Sequence, residues 1–358
     1  MKKKLFLFAL TTVLFSCSKS STNSIITNPD ISQPGNVSAQ WSIPVAEVLD
    51  GGPGKDGIPA LVNPTFVSAS EVTFLNDQDL VLLFKNGNMV RAYPHDILDW
   101  HEIINDNIGD VSMAVTFCPL TGTGIGWGRI INNVETTFGV SGLLYNTNLI
   151  PYDRLTDSNW SQILNESVNG ELNGQKAELY QLLETNWATV KQMYPDIGVV
   201  STSTGFSRTY GTSPYGDYNT NNERFFFPVD KDSRLPLKEK VLAILDEGDA
   251  KVYQFSDFLN ENIIQDSFKG KDYMMVGNTN FMFAYELTAD LKNLDFTYVF
   301  GRNGDDIVLE DNEGNSWNVF GEAVSGPRQG EKMAVSNAMM GQWFSIPAFY
   351  NTEIYSGS

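Results

Sequence analysis

One internal cysteine and two histidines are the residues of this sequence best suited to chemistry. Cys118 ends the apolar run Val111–Phe117, which has strand composition, and a proline follows it. His101 lies 17 residues upstream of Cys118, and His95 lies six residues before His101. Thiolates and imidazoles are preferred ligands of copper and zinc. We therefore predict a metal-binding pocket of Cys118, His101 and His95 for copper or zinc, completed by a methionine or a carboxylate.

The same residues also suit nucleophilic catalysis. Cys118 would be the thiolate nucleophile and His101 its base, with Glu102 or Asp106 orienting the imidazole. Backbone N–H groups of the turn at Gly122–Gly124 would stabilise an oxyanion. This alternative is a thiol-dependent hydrolase or acyltransferase. A third alternative is a non-catalytic module that binds a polar ligand, in which Cys118 is only a small buried apolar residue.

A candidate ligand pocket follows from polar and aromatic residues in loop-like sequence near Cys118. Aromatic faces would stack on a sugar or another small polar ligand, while Asp and Arg side chains would hydrogen-bond to it. The candidate lining residues are Thr121, Gly122, Thr123, Gly124, Arg129, Tyr145, Asp153 and Arg154.

The tract that follows Cys118 has glycine at every second position, at Gly122, Gly124, Gly126 and Gly128. In an extended strand these glycines share one face and leave it without side chains. Such a face allows close approach of another backbone, a flat side chain or a ligand.

Turn chemistry and apolar patterns locate the elements around these residues. Leu80–Phe84 and Met89–Tyr93 flank an Asn-Gly turn and predict a hairpin. Asp96–Ile104 predicts a short helix, and Leu179–Met193 predicts a longer helix that ends before a proline. The sequence thus predicts an α+β fold that is rich in strands.

Landmark residues recur in the same order at spacings of 156 to 160 residues. They predict two diverged tandem repeats, about 75–200 and 238–358, packed as one pseudo-twofold globular unit. At this offset Asn278 takes the place of Cys118, so the second repeat lacks the candidate site. The matching landmarks are Arg91-Ala92-Tyr93 with Lys251-Val252-Tyr253, Trp160 with Trp317, Gly170 and Gly174 with Gly326 and Gly330, and Trp187 with Trp343.

The beginning of the chain predicts export. Residues 1–17 combine lysines, a short apolar run and Ser16-Cys17, which predicts a lipoprotein signal peptide with lipidation at Cys17. A polar, disordered tether would follow over 18–40. We expect an outer-membrane or cell-envelope lipoprotein that contacts the membrane through its lipid. Its remaining segments are 41–204 with the first repeat, 205–237 between the repeats, and 238–358.

Composition limits the partners of the protein. The formal net charge of −19 argues against nucleic acid and against electrostatic binding to anionic membranes. If Cys17 is lipidated, one thiol remains and no intrachain disulfide can form. The apolar residues, 42% of the chain, must therefore supply the core.

Several long motifs resemble one bacterial exported family, the domain of unknown function 3179. The resemblance covers nearly everything after the tether, and it implies a family rather than an activity. Many members resemble Cys-Pro-Leu-Cys at the central motif, where this chain has Thr121, so a local Cys-x-x-Cys pair is absent here. The motifs are Gly51–Ala60, Arg91–Pro94, His101–Asp106, Val115–Gly124, Phe138–Asn146, Tyr152–Arg154, Trp160–Gln162, Pro214–Tyr218 and Trp343–Tyr350.

Overall fold

The computed structural model describes residues 40–302 and 305–357. The predicted signal peptide, Cys17 and the tether before Gln40 lie outside the described residues. Strands dominate the described chain, with two short α-helices among several 3-10 turns, so the prediction of a strand-rich α+β fold is confirmed. None of the described helices is long and apolar enough to cross a membrane.

The first half of the chain, up to Val200, holds the candidate site residues. Its elements in chain order are β1 (Val48–Asp50), β2 (Leu61–Val62), β3 (Phe66–Ser68), β4 (Leu80–Asn86), β5 (Met89–Pro94), α1 (His95–His101), β6 (Ile103–Ile108), β7 (Val111–Cys118), β8 (Thr123–Gly128), β9 (Ile130–Ile131), β10 (Val134–Glu135), β11 (Phe138–Tyr145), β12 (Asn148–Asp153), β13 (Asn159–Ser161), β14 (Glu166–Asn169), β15 (Leu179–Tyr180), β16 (Leu183–Asn186), α2 (Trp187–Met193) and β17 (Gly198–Val200).

The second half consists of strands joined by turns and short 3-10 segments. Its strands are β18 (Lys240–Asp246), β19 (Asp249–Gln254), β20 (Ile263–Phe268), β21 (Lys271–Gly277), β22 (Met282–Leu287), β23 (Phe296–Tyr298), β24 (Ile307–Asp311), β25 (Ser316–Asn318), β26 (Ala323–Ser325), β27 (Ala334–Val335), β28 (Ala338–Gln342) and β29 (Asn351–Ile354).

Neighbouring strands pair mostly antiparallel, as short connections between them require. In the first half the sheet orders are β16-β4-β5-β17-β3, β15-β8-β7-β6-β2 and β1-β11-β12-β13-β14, beside a β9-β10 ribbon. In the second half they are β28-β18-β19-β29, β20-β21-β22-β27 and β23-β24-β25-β26. The parallel contacts are β5 with β17, β2 with β6, and β19 with β29.

The hydrophobic cores are shared between the two halves of the chain. Leu83 and Phe283 belong to one buried cluster, and Trp127 and Trp343 belong to another. Burial of large apolar and aromatic side chains from both halves in the same cluster is the main stabilising term available to such a fold. The halves therefore depend on one another for burial of their apolar surface.

The predicted hairpin is confirmed by β4 and β5, but the helix predicted over Leu179–Met193 is wrong in its first part. Leu183–Asn186 instead forms β16, which pairs with β4. The helix begins only at Trp187, where the Asn186 side chain accepts a hydrogen bond from the Thr189 N–H. Pairing with a buried strand overrode local helix preference here.

The strand predicted for the glycine tract is confirmed as β8, and its bare face is filled by the protein itself. A Cβ added at Gly124 would lie 2.5 Å from Cδ1 of Leu82. A Cβ added at Gly126 would lie 2.7 Å from the carbonyl oxygen of Tyr180. The glycines therefore serve close packing against neighbouring strands rather than a ligand.

Candidate functional site

The thiol of Cys118 lies inside the protein at the end of β7. The residue is 1% exposed, and its Sγ lies 3.8 Å from the carbonyl oxygen of Thr147. Burial, and after it the negative charge of Glu102, raise the pKa of the Cys118 thiol to about 11. Nucleophilic attack and metal ligation both require the thiolate, which is scarce at neutral pH with such a pKa.

Cys118 should therefore be inert in the folded protein. In a Cys17→Ser background, iodoacetamide at pH 8 should leave Cys118 unmodified over a period that fully alkylates the guanidinium-unfolded chain, as read by intact mass. A Cys118→Ser variant provides the unlabelled control. Rapid alkylation of the native protein would contradict the burial of this thiol.

His101, the last residue of α1, has both ring nitrogens engaged. Nδ1 lies 2.7 Å from the carbonyl oxygen of Pro59, and Nε2 lies 2.7 Å from the hydroxyl of Tyr210. Because a carbonyl can only accept, Nδ1 donates to Pro59 and Nε2 of the neutral ring accepts from Tyr210. Burial lowers the pKa of His101, which favours this neutral form. Neither nitrogen is free to deprotonate Cys118 or to bind a metal ion.

His95 lies at the start of α1, in a different environment. Its ring packs against Phe117 with centroids 4.3 Å apart, and its Nε2 lies 3.4 Å from Oε2 of Glu184. That contact is an ion-pair distance without hydrogen-bond geometry, since Nε2 has no hydrogen-bond partner among the described residues. Each residue of the predicted Cys118, His101 and His95 metal site thus has its own neighbours. Within the described chain, no group of three or more His, Cys, Asp or Glu residues is placed to hold a metal ion.

The predicted ligand pocket after Cys118 is filled by a polar network. The hydroxyls of Thr121 and Thr123 lie 2.9 Å apart, and both accept hydrogen bonds from the buried Asn148 amide. Gly122 adopts a φ of +60° and lies beside the Lys240 side chain. These groups bond to one another rather than face a cleft, so the turn is structural.

The remaining predicted lining residues lie apart and have structural partners. Asp153 is fully buried and accepts hydrogen bonds from the indole of Trp160 and the hydroxyl of Thr156. The Tyr145 ring packs edge-on against Phe349. Arg154 pairs with Asp56 at 2.9 Å and donates to the carbonyl oxygen of Phe138. The structure does not bring Tyr145, Asp153 and Arg154 to one cleft with the Cys118 turn.

Arg129, also a predicted lining residue, is 2% exposed and joins strands from several parts of the first half. Its guanidinium pairs with Glu135 at 2.9 Å and donates to one side-chain and three backbone oxygens. Arg129→Lys should lower the free energy of unfolding by about 2 kcal/mol, because an ammonium cannot reach this set of acceptors. Chemical denaturation would measure the loss. Stability equal to that of the wild type would contradict a structural role for Arg129.

Glu102 is the residue at which the structure departs most from ordinary packing. It follows α1 with φ +56° and ψ −32°, a conformation that costs a non-glycine residue of order 1–3 kcal/mol. Its N–H donates to the Leu98 carbonyl oxygen and its own carbonyl oxygen accepts from Phe117, both at 2.7 Å. These two backbone bonds fix the strained geometry, and strain of this kind clusters at functional sites.

The carboxyl of Glu102 lies in a cavity of about 210 Å³ that we call the Glu102 cavity. Glu102 is 8% exposed, and among the described residues the Tyr215 hydroxyl is its one hydrogen-bond partner, at 3.4 Å. Burial, only partly opposed by Tyr215, raises the pKa of Glu102 to about 8. The walls are otherwise apolar and aromatic: Ile58, Leu120, Val140, Leu144, Leu149, Phe226 and Phe227.

The Glu102 cavity combines the features of a small-molecule site: a concave apolar surface, one polar group and a perturbed pKa. Sequence reasoning considered Glu102 only as a residue that might orient His101. The usable signals were the acid directly after a predicted helix and the aromatic segment 215–227. No spacing rule connects them, because Tyr215 lies 113 residues after Glu102.

Comparisons with known proteins agree with the long motifs of the sequence. The model of one family, described as Protein of unknown function (DUF3179), matches residues 55–353. The searches of curated proteins and of solved structures gave no match. The match spans most of the chain, so this protein belongs to the DUF3179 family.

Proposed function

We propose that this protein is a binding module for a small molecule that occupies the Glu102 cavity. The carrying observation is a carboxyl, nine-tenths buried and held on a strained backbone, that faces an otherwise apolar cavity. An empty site of this kind leaves a polar group poorly solvated, and a ligand that bonds to it would remove that cost. The volume lies below the roughly 300 Å³ of drug-sized sites, so the ligand is small.

The corresponding position in the second half supports this proposal. Phe117 N–H donates to the Glu102 carbonyl oxygen, and 160 residues later Gly277 N–H donates to the Asn262 carbonyl oxygen at 3.0 Å. The Asn262 side chain then donates to the Gly277 carbonyl oxygen at 2.8 Å. The same backbone arrangement thus occurs with a satisfied side chain at Asn262 and with a weakly bonded, buried acid at Glu102.

The other chemical interpretations have weaker support. A thiol enzyme needs an activated Cys118, whereas burial keeps the thiol neutral and His101 bonds elsewhere. A copper or zinc site built on Cys118 and the two histidines lacks convergent ligands among the described residues. Binding in the Glu102 cavity requires neither a thiolate nor a free imidazole.

A fragment screen by ligand-observed NMR tests the proposal. Fragments of up to about ten heavy atoms should bind the wild type, in keeping with the cavity volume. Ile58→Trp fills the cavity from its rim and should abolish binding, and Glu102→Gln should change which fragments bind. Melting temperatures would verify that each variant is folded. No binding fragment, or binding that persists unchanged in Ile58→Trp, would contradict the proposal.

We also propose that the chain is exported and anchored through a lipid on Cys17. The support is the lysine, apolar and Ser-Cys order of residues 1–17. In cells, the wild type should fractionate with membranes and incorporate labelled fatty acid, and Cys17→Ser should do neither. Fatty-acid labelling that persists in Cys17→Ser would contradict the anchor.

We further propose that the two halves arose by tandem duplication and pack with pseudo-twofold symmetry. Tyr93 donates to Asp106 at 2.8 Å, and Tyr253 donates to Asp266 at 2.9 Å. The order β16-β4-β5-β17 resembles β28-β18-β19-β29, and in both the last pair is parallel. These pairs repeat at one offset, which independent convergence does not explain.

A second set of contacts supports the duplication in the third sheet of each half. The indole of Trp160 donates to Asp153 at 3.0 Å, and that of Trp317 donates to Asp311 at 2.8 Å. Within other members of the family, alignment of the first half with the second should pair these Trp and Asp positions above the level of shuffled sequences. Equal scores would contradict the duplication.

A further inference from the structure

We infer that the ligand of the Glu102 cavity is a small organic ammonium ion with a short apolar substituent. This inference rests on the proposed function, since it specifies what the cavity binds. It is carried by three observations: the missing countercharge of Glu102, the aromatic walls, and the apolar remainder of the cavity.

The first observation is that Glu102 has no cation. Glu184 and Asp106 are buried to a similar degree, but the first pairs with Lys240 and the second with Arg91. Among the described residues, no ion pair involves Glu102. The titratable groups that face it are Tyr215, Asp99 and Cys118, and none of them supplies positive charge. An ammonium ligand would supply the missing partner.

The nearest basic side chains are committed elsewhere. Arg224 lies over the Phe226 ring at 5.3 Å, but its guanidinium pairs with Asp217. Lys238 places its Nζ 3.0 Å from the centroid of the Tyr218 ring, which stacks on Phe226 at 4.8 Å. The aromatic segment thus already holds an amine against one of its rings.

The second observation is the aromatic composition of the cavity wall. Tyr215, Phe226 and Phe227 line the same space as the Glu102 carboxyl. Ring faces attract cations, and they do so most strongly where water is excluded. A carboxylate beside aromatic rings is the usual chemistry for recognition of an ammonium group. The aliphatic walls at Val140 and Leu149 then suit an alkyl substituent.

The competing occupant is a neutral or acidic carbonyl compound, to which a protonated Glu102 would donate. The net charge of −19 disfavours an anionic ligand by long-range repulsion and favours a cation. Tyr215 already donates to the Glu102 carboxyl, so the structure treats this group as an acceptor. Both points favour the ammonium ion.

Calorimetry with butylammonium, butanol and butyrate separates these classes, since the three share an alkyl chain and differ in charge. Butylammonium should bind the wild type at pH 8.5 at least about tenfold more tightly than either competitor, and Glu102→Gln should remove that preference. As the pH rises towards 8, affinity should increase about tenfold per pH unit, because the ligand displaces the Glu102 proton. Ile58→Trp should abolish binding of all three compounds.

The outcomes distinguish the inference from the proposed function. Butanol or butyrate binding as tightly as butylammonium, with loss in Ile58→Trp, would overturn the ammonium inference and leave small-molecule binding standing. Butylammonium binding that is equal in the wild type and in Glu102→Gln would also overturn the inference. Absence of binding by all three compounds would count against both.

Discussion

Replacing Lys240 by methionine should lower the free energy of unfolding by about 3–4 kcal/mol, because it leaves a buried carboxylate unpaired. Lys240 is in β18 of the second half, and its Nζ lies 2.7 and 2.9 Å from the two carboxylate oxygens of Glu184 in β16. It also donates to the carbonyl oxygen of Gly122 at 2.8 Å. One side chain therefore joins both halves to the turn after Cys118.

The pKa of Glu184 adds a pH dependence to this result. Burial opposes ionisation of Glu184, but Lys240 and His95 outweigh it and hold the pKa at about 2. In the wild type this contribution to stability is present above pH 4.5 and is lost as the pH falls towards 2. Without Lys240, burial would raise the pKa of Glu184. The gap between the wild type and Lys240→Met should therefore shrink under acidic conditions.

Urea denaturation of three variants tests this prediction. Lys240→Met/Glu184→Gln should recover most of the lost stability, because no buried charge is left unpaired. Lys332→Met is a matched control, since Lys332 forms an exposed pair with Glu322 at 3.4 Å and should cost less than about 1 kcal/mol. A loss below about 1 kcal/mol for Lys240→Met itself would contradict the assigned role.

Glu102→Gln should stabilise the protein increasingly as the pH rises. The pKa of Glu102 is raised from 4.5 to about 8 by burial, so between these values the folded protein holds a proton that the unfolded chain has released. Stability therefore falls with rising pH through this window in the wild type, and glutamine removes that loss. Because a tenfold difference in proton affinity corresponds to about 1.4 kcal/mol, the gain approaches about 4–5 kcal/mol near pH 8.5.

Denaturation at pH 4.5, 6.5 and 8.5 measures the difference between the wild type and Glu102→Gln. The two proteins should have equal stability at pH 4.5, where glutamine matches the protonated acid. The exposed Glu171→Gln provides a control that should change stability by less than about 0.5 kcal/mol at every pH. A stability difference that does not grow with pH would refute a buried, protonated Glu102.

Local sequence patterns located many strands but could not locate the site. The Asn-Gly turn and its flanking apolar runs predicted the β4–β5 hairpin, since register and turn chemistry are local. The helix expected over Leu179–Met193 became β16 followed by α2, because pairing with β4 depends on residues 100 positions away. Non-local pairing of this kind leaves no local pattern.

Residue type also misled the choice of site. Cys118 and His101 have the right chemistry for metal binding or catalysis, but His101 bonds to Pro59 and Tyr210. Glu102 became prominent only with its strained φ and its cavity, which depend on the distant Tyr215 and Phe226. Partners and burial, rather than identity, decide which of these groups stays available to a ligand.

The central claim is that Glu102 is a buried carboxyl without a countercharge in a ligand-sized cavity. A titration by carbon-detected NMR of protein labelled at the glutamate side-chain carboxyl tests it most directly, with Glu102→Gln identifying the resonance. We predict that this carboxyl titrates near pH 8 and that butylammonium shifts its titration to lower pH. Titration near pH 4.5, unchanged by butylammonium, would contradict the claim.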